Sequence, residues 1–281
     1  MRSKGVQRSK VAVRFAEYAV LIFFLLFLLF PLLIAISTSL KSTAEIFANP
    51  LGFPRSFYFA NFTNVFMLTD IEQAFMISTI LTVGTVLGVF ITATPAAYAL
   101  SKFKFPGKSF LITYIFFSTT IPAQLFILPL FQIYSRLGLI NSLPGLILIY
   151  IAVFSPFAIL LMRSYFVNTP DELLEAALID GATRLQAFWR IIVPVVRPGV
   201  TMAMVIVAMG SWNNFLLPRT FLLDINLKPV TLILPTLQGQ WSVEWGMLFA
   251  AAILISLPIL ILFILVHRQW IEGLAGTGLK G

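Results

Sequence analysis

Six stretches of the sequence run for about twenty residues or more with at most one charged side chain: 18–38, 73–100, 109–131, 144–166, 199–218 and 245–266. A bilayer core roughly 30 Å thick takes about 20 apolar residues to cross as a helix, because in hydrocarbon every backbone N–H and C=O must find its partner inside the segment. The sequence therefore predicts an all-α integral membrane protein with six transmembrane helices. Composition agrees, with 59% hydrophobic and 11% charged residues in 281, where a soluble domain carries about 25% charged ones. Such a balance excludes a water-soluble enzyme and a nucleic-acid-binding domain. The net charge of +8 is read instead as basic loops facing anionic headgroups.

The first stretch contains LIFFLLFLLFPLLIAI after a basic segment, as a signal peptide would. Its apolar run exceeds the usual core of about 7–15 residues and no small-residue cleavage site follows, so it is expected to stay as a span. Orientation follows from the basic residues. An inner N-terminus puts Arg2, Lys4, Arg8, Lys10, Arg14, Lys102, Lys104, Lys108, Arg163, Arg184, Arg190, Arg197, Arg268 and Lys280 on one side, against Lys41, Arg55, Arg136, Arg219 and Lys228 on the other. Fourteen against five predicts that both termini are cytoplasmic. The organisation expected is then a cytoplasmic tail 1–17, a first transmembrane helix 18–38 and an extracytoplasmic segment 39–71. A transmembrane core 72–267, including the loop 167–199, and a cytoplasmic tail 268–281 complete it. Pro50, Pro54, Asn61 and Asn64 among the aromatics of the outer segment read as a folded cap.

Span two is the least oily, and its Gly84 and Gly88 suit close helix packing within one bundle. No ionisable residue falls in the middle of a span, since all 11 acids lie in loops or at span ends. Proton relays and voltage sensors put charge there, so self-contained proton coupling is disfavoured, while sodium coupling through backbone carbonyls stays open. There is no cysteine and a single histidine, His267, which excludes a thiol nucleophile, cysteine–zinc sites and any metal site needing two histidines. Gly107-Lys108-Ser109 resembles the end of a phosphate-binding loop, but Lys102 stands where its first glycine belongs and no strand precedes it. The chain is thus expected to hold no catalytic residue, no metal and no cofactor.

The loop 167–199 differs from everything around it. Thr169, Pro170 and Glu172 read as N-cap, first helical residue and capping-box partner, and Leu173, Leu174, Ala177 and Leu178 form an apolar face. Gly181 suits a left-handed turn, Thr183 and Gln186 form a second capping box, and the second helix is expected to give way at Pro194. Two short helices about a glycine turn result. Residues 171–180 carry four acids and no base, which favours docking on a protein over resting on anionic headgroups.

Glu175-Ala176-Ala177, Asp180-Gly181-Ala182, Ile191 and Val193-Pro194, at this spacing, resemble the EAA loop of permease subunits in binding-protein-dependent ABC importers. Val193 replaces the usual leucine before the proline. Ser211-Trp212-Asn213-Asn214-Phe215-Leu216-Leu217-Pro218, Phe105-Pro106-Gly107-Lys108, Gly273-Leu274-Ala275-Gly276 and the final Lys280-Gly281 are similar to the carbohydrate-type, maltose-permease G-type (MalG-like) branch. The resemblance implies the type I importer (MetI-like) fold in a bacterial plasma membrane, with cytoplasmic coupling helices in the loop. It implies that Glu175, Ala176, Ala177, Asp180, Gly181, Ala182, Ile191 and Pro194 couple to an ATPase. The partners it implies are a second homologous permease, two ATPase subunits that use ATP and Mg, and an extracytoplasmic binding protein delivering a mono- or oligosaccharide. A polyol or sugar phosphate importer, and an ATP-independent secondary transporter, are the alternatives.

Span five can be placed by arithmetic. Asn213 lies 14 residues beyond Gly199, about 21 Å at 1.5 Å per residue and past the midplane of a roughly 30 Å core. Amides there avoid lipid, so Trp212, Asn213 and Asn214 are expected to face the bundle, either lining a translocation path or serving as hydrogen-bond glue between helices.

Overall fold

The computed structural model describes residues 2–238 and 244–278, with side chains over 14–238 and 244–267. The tail residues Gly273 to Gly276 lie outside the described side chains, and the final Lys280-Gly281 outside the described residues. In chain order the helices are α1 (Arg2–Ser39), α2 (Thr43–Ala48), α3 (Ala60–Leu68), α4 (Ile71–Lys102), α5 (Lys108–Thr120), α6 (Ile127–Arg136) and α7 (Leu143–Val167). There follow α8 (Glu172–Ile179), α9 (Arg184–Ala187), α10 (Val193–Val195), α11 (Arg197–Trp212), α12 (Leu216–Phe221), α13 (Ile233–Thr236) and α14 (Trp245–Gly278). No strand occurs among the described residues.

Four helices are long and apolar enough to cross a membrane, within α1, α4, α7 and α14. Two bent pairs meet the same test, which makes six crossings if each pair is one span. The first bend corrects the expectation of a straight span. Residues 109–131 turn by 91° between α5 and the helix that continues to Arg136. Pro122 causes it: the preceding residue is pushed out of the helical region, and Ile121 sits at φ −84° and ψ 120°. Ahead of the fifth stretch, the helix ending at Val195 meets α11 at an 80° bend, where Pro198 has no N–H to offer the carbonyl of Pro194. The helix of that stretch also ends at Trp212 rather than at 218.

Two compact units divide the chain. The first comprises residues 1–69 and 234–254. The basic tail is helical and continuous with the first span, and none of the most apolar window of α1 is buried by the rest of the chain. The outer segment is folded around Lys41, which has no exposed surface. Its ammonium donates to the carbonyls of Asn49 (2.9 Å), Pro50 and Gly52. Asn61 Nδ2 donates to the carbonyls of Ser39 and Lys41, at 2.8 Å each. A buried cation needs such dipoles when no carboxylate is present. The sequence analysis counted Lys41 only in the tally of basic residues; it is also the post on which the segment after α1 hangs.

The second unit comprises residues 70–233 and 255–281. Its centre is the pairing of α4 with α7. A β-carbon at Gly84 would stand 2.6 Å from Ile147 Cδ1, and one at Gly88 only 2.1 Å from Ile151 Cδ1. The two glycines therefore let isoleucines seat against the α4 backbone, the close packing that spacing had predicted. Near one end Ile77, Leu81, Leu146, Tyr150, Leu217 and Phe221 form a cluster. Near the other, Ala93, Ala97, Met162, Phe166, Phe188 and Ile192 do so. The second cluster is where the loop 167–199 is rooted.

Candidate functional site: an exposed helical hairpin

The loop folds as a hairpin, α8 and α9 about a turn at Gly181. Residue 181 has φ +85°, and the turn closes with Ala182 N–H donating to Ala177 O (3.0 Å) and Gly181 N–H to Leu178 O (3.1 Å). These two bonds make a complete Schellman motif, which satisfies the last carbonyls of α8. On the far side, Thr183 and Gln186 form the expected capping box, with Gln186 N–H donating to Thr183 Oγ1 (3.2 Å) and Thr183 N–H to Gln186 Oε1 (2.9 Å).

The start of the hairpin differs from expectation. Asp171, not Thr169, precedes the first helical residue, and no side chain caps α8. Thr169 is buried and its hydroxyl donates back to Tyr165 O at 3.3 Å, so the capping box with Glu172 does not form. Lys102, at the end of α4, closes this corner. Its ammonium reaches the Thr169 carbonyl at 2.5 Å and Asp171 Oδ1 at 2.7 Å.

Beyond α9 the helix passes through a π turn over Phe188–Ile192, with Val193 N–H donating to Phe188 O five residues back. That wider turn carries the chain through Pro194 to Val195, so the helix does not give way at the first proline. The π turn presents aromatic rings to α4: Phe188 lies 4.9 Å from Tyr98, and Trp189 lies 5.5 Å from Phe90, centroid to centroid.

Exposure sorts the sequence-predicted residues. Glu175, Ala176, Asp180, Gly181 and Pro194 are exposed, while Ala182 and Ile191 are half-buried. Ala177 is 4% exposed and belongs to the chain's own interior, where Leu173 and Leu174 also pack. Its side chain thus points inward, unlike those of its exposed neighbours Glu175 and Ala176. Two residues missed by sequence reasoning face outward instead, Ile179 at 86% exposure and Leu185 at 68%. Both flank the Gly181 turn. Beside them opens an apolar hollow of about 550 Å³ bordered by Tyr98, Phe103, Leu178 and Phe188. Their signal was available: apolar residues at a turn that is otherwise acidic serve no core of their own.

The second group divides as well. Trp212 is buried, donates from Nε1 to Ile255 O at 3.0 Å and lies 5.9 Å from the Phe75 ring. Asn214 caps the next helix, accepting from Leu217 N–H at 3.1 Å, while its carbonyl accepts from Thr231 Oγ1 at 2.8 Å. Asn213 ends α11, with its backbone N–H on Met209 O and Ser211 O, and its side chain is exposed. The Trp212 indole N–H and the Asn214 amide oxygen are thus taken up within the chain, whereas the Asn213 side chain is exposed. Among the described residues no three His, Asp or Glu side chains gather as a metal site would require.

The family described as binding-protein-dependent transport system inner membrane component matches residues 84–269, which include the hairpin and α11. The diacetylchitobiose uptake system permease protein NgcG of Streptomyces coelicolor is 33% identical over 260 residues, covering 91% of this chain and 86% of that protein. The probable ABC transporter permease protein YurM of Bacillus subtilis is 35% identical over 269 residues, covering 94% and 89%. A chain of a bacterial ABC transporter involved in the import of the acidic polysaccharide alginate has the same fold, with a TM-score of 0.83 at 23% identity over 93% of this chain and 97% of that one. An all-helical chain with up to six crossings, an exposed hairpin built on the EAA spacing, and relatives matched over nine-tenths of its length belongs to the binding-protein-dependent transport system inner membrane components, the permease subunits of ABC importers.

Proposed function

We propose that this chain is one of two permease subunits of an ATP-driven importer and forms the translocation path for a mono- or oligosaccharide delivered by an extracytoplasmic binding protein. The observation that carries this reading is the hairpin. It ends in a left-handed glycine turn flanked by Ile179 and Leu185, both exposed and unused by the chain's own core. Apolar anchors within a polar, acidic rim are the composition of a docking surface. In this reading the hairpin seats in a cleft of the ATPase, whose ATP and Mg supply the energy. Glu175, Ala176, Asp180 and Gly181 form the rim, with Ala182, Ile191 and Pro194 shaping the turn and its return. The unburied α1 suits a second, related permease or lipid. The fourteen-to-five split of basic residues supports cytoplasmic termini in a bacterial plasma membrane.

Carbohydrate is favoured because the Streptomyces relative is named for diacetylchitobiose and the solved neighbour for alginate. The exposed Asn213 side chain offers hydrogen-bonding capacity for a hydroxylated solute. The test is reconstitution of the full complex in proteoliposomes, with binding protein outside and ATP within reach of the ATPase. Labelled maltose, diacetylchitobiose and an alginate oligosaccharide are offered in turn. ATP-dependent uptake of one of them is expected. Uptake without the ATPase subunits, or ATP-dependent uptake of a polyol or sugar phosphate only, would overturn the assignment.

A further inference from the structure

The hairpin is fastened to the bundle at one point that sequence reading did not find. Three cations gather at the C-terminal end of α4. Arg163 Nε donates to Leu100 O at 3.1 Å, Lys108 Nζ to Ser101 O (3.1 Å) and Phe103 O (2.9 Å), and Lys102 Nζ to Thr169 O and Asp171. Cations are favourable at a helix C-terminus, where orphan carbonyls concentrate negative charge. Arg163 and Lys108 serve that purpose alone. Lys102 does not: it turns away from its own helix and grips the two residues that lead into α8.

We propose that Lys102 is the positioning residue through which the coupling hairpin moves α4. This rests on the reading of the hairpin as the ATPase-docking element. The Lys102 side chain is 14% exposed and Thr169 is buried, so the ammonium–carbonyl bond is shielded from water, whereas Asp171 is 73% exposed and its ion pair is screened. The carbonyl bond is therefore the stronger half of the grip. The hairpin also meets α4 by apolar packing, with Phe188 and Trp189 on Tyr98 and Phe90, and Leu173 and Leu174 in the same cluster. Apolar packing resists separation but is non-directional, so packed rings can slide past one another while staying buried. A charged hydrogen bond to a backbone carbonyl is directional and holds one register, and α4 runs from this corner through the whole bundle to Ile71. Lys102 thus fixes the hairpin to α4 in one register, so that its displacement moves the helix.

Because this chain has no cysteine of its own, a cysteine pair can be placed in it and assayed in the complete importer, with the wild-type complex treated alike as the control for thiols on the other subunits. Lys102→Cys and Thr169→Cys are combined, and the same purified complex is assayed reduced and then joined by a short bis-thiosulfonate bridge. The readouts are ATPase subunits retained, ATP hydrolysed, and transport of the sugar that the reconstitution identifies. In the reduced state the ATPase is expected to stay attached and to hydrolyse ATP, while sugar moved per ATP falls by about tenfold, the scale set by losing a hydrogen bond to a charged group. Bridging is expected to restore the ratio to within about twofold of the wild type. Lys102→Arg should keep the wild-type ratio, and Asp171→Asn should change it by no more than about twofold. A wild-type ratio in the reduced double variant, or no recovery on bridging, would overturn the proposal. Failure of the docking reading looks different: the wild-type complex itself would then show no ATP-dependent transport.

Discussion

Gly181 offers the sharpest separation of backbone strain from partner contact. Its φ is +85°, and a β-carbon built there meets no atom of the chain within 4 Å. A side chain at 181 therefore clashes with nothing in the subunit itself, and the intrinsic cost is that of the left-handed backbone. For alanine that is about 1–2 kcal/mol, a factor of roughly five to thirty in the population of the turn. Asparagine tolerates this conformation far better but is bulkier. If only the turn mattered, Gly181→Asn would retain more function than Gly181→Ala. If the turn sits against an ATPase, Asn should be the worse of the two, and Asp should resemble Asn. The assays are co-purification of the ATPase and ATP hydrolysis stimulated by the loaded binding protein, with the thermal stability of the permease pair as control. Expected is at least a tenfold loss of stimulated hydrolysis for Asn and Asp, beyond what strain of this size gives alanine. Asn at wild-type activity with Ala impaired would refute the contact and leave the glycine a purely conformational role.

Other consequences follow from the same geometry. Glu175→Lys reverses charge on an exposed acidic helix and should weaken ATPase retention severalfold without disturbing insertion, as measured by co-purification at two salt concentrations. Asn214→Ala removes the cap on Leu217 N–H and should cost about 1 kcal/mol in thermal stability. Asn213→Ala breaks no side-chain bond of its own among the described residues, so it should leave stability unchanged and alter only transport kinetics; the reverse pattern would make Asn213 glue. Reporter fusions after Lys108 and at Gly281 should both read cytoplasmic, and an external signal from either would overturn the orientation.

The four unbroken membrane-length helices were legible because lipid admits so few backbone solutions for a run of about twenty apolar residues. The bends between helices were legible only in part. Ile121-Pro122 and Arg197-Pro198 carry the signal for the two bends; hydropathy averages over the first, and the second lies just ahead of its apolar stretch. Pro194 misled because a single π turn, which no composition announces, carries the helix past it. Within the hairpin, Gly181 and the Thr183–Gln186 box were readable as local chemistry. The start of α8 was not, since Thr169 is claimed by Tyr165 O and the corner is closed by Lys102 from another helix. Ala177 illustrates the same limit. A motif names which residues recur, while the helix period decides which of them turn inward, and Ala177 shares its face with Leu173 and Leu174. Asn213 and Asn214 look alike in sequence, and only the position of α12 separates a capping side chain from a free one.

The central claim, that the Gly181 hairpin seats in the ATPase and links it to a sugar path, is tested most directly by a cross-link. Ile179, 86% exposed, is changed to cysteine in this cysteine-free chain, and the assembled importer is treated with a thiol-reactive photo-cross-linker while ATP is turned over. The account predicts an adduct between this subunit and the ATPase, its yield changing between the ATP-bound and nucleotide-free states and lost when the ATPase is stripped away. An ATPase that co-purifies fully and supports transport, yet never cross-links to residue 179, would contradict it.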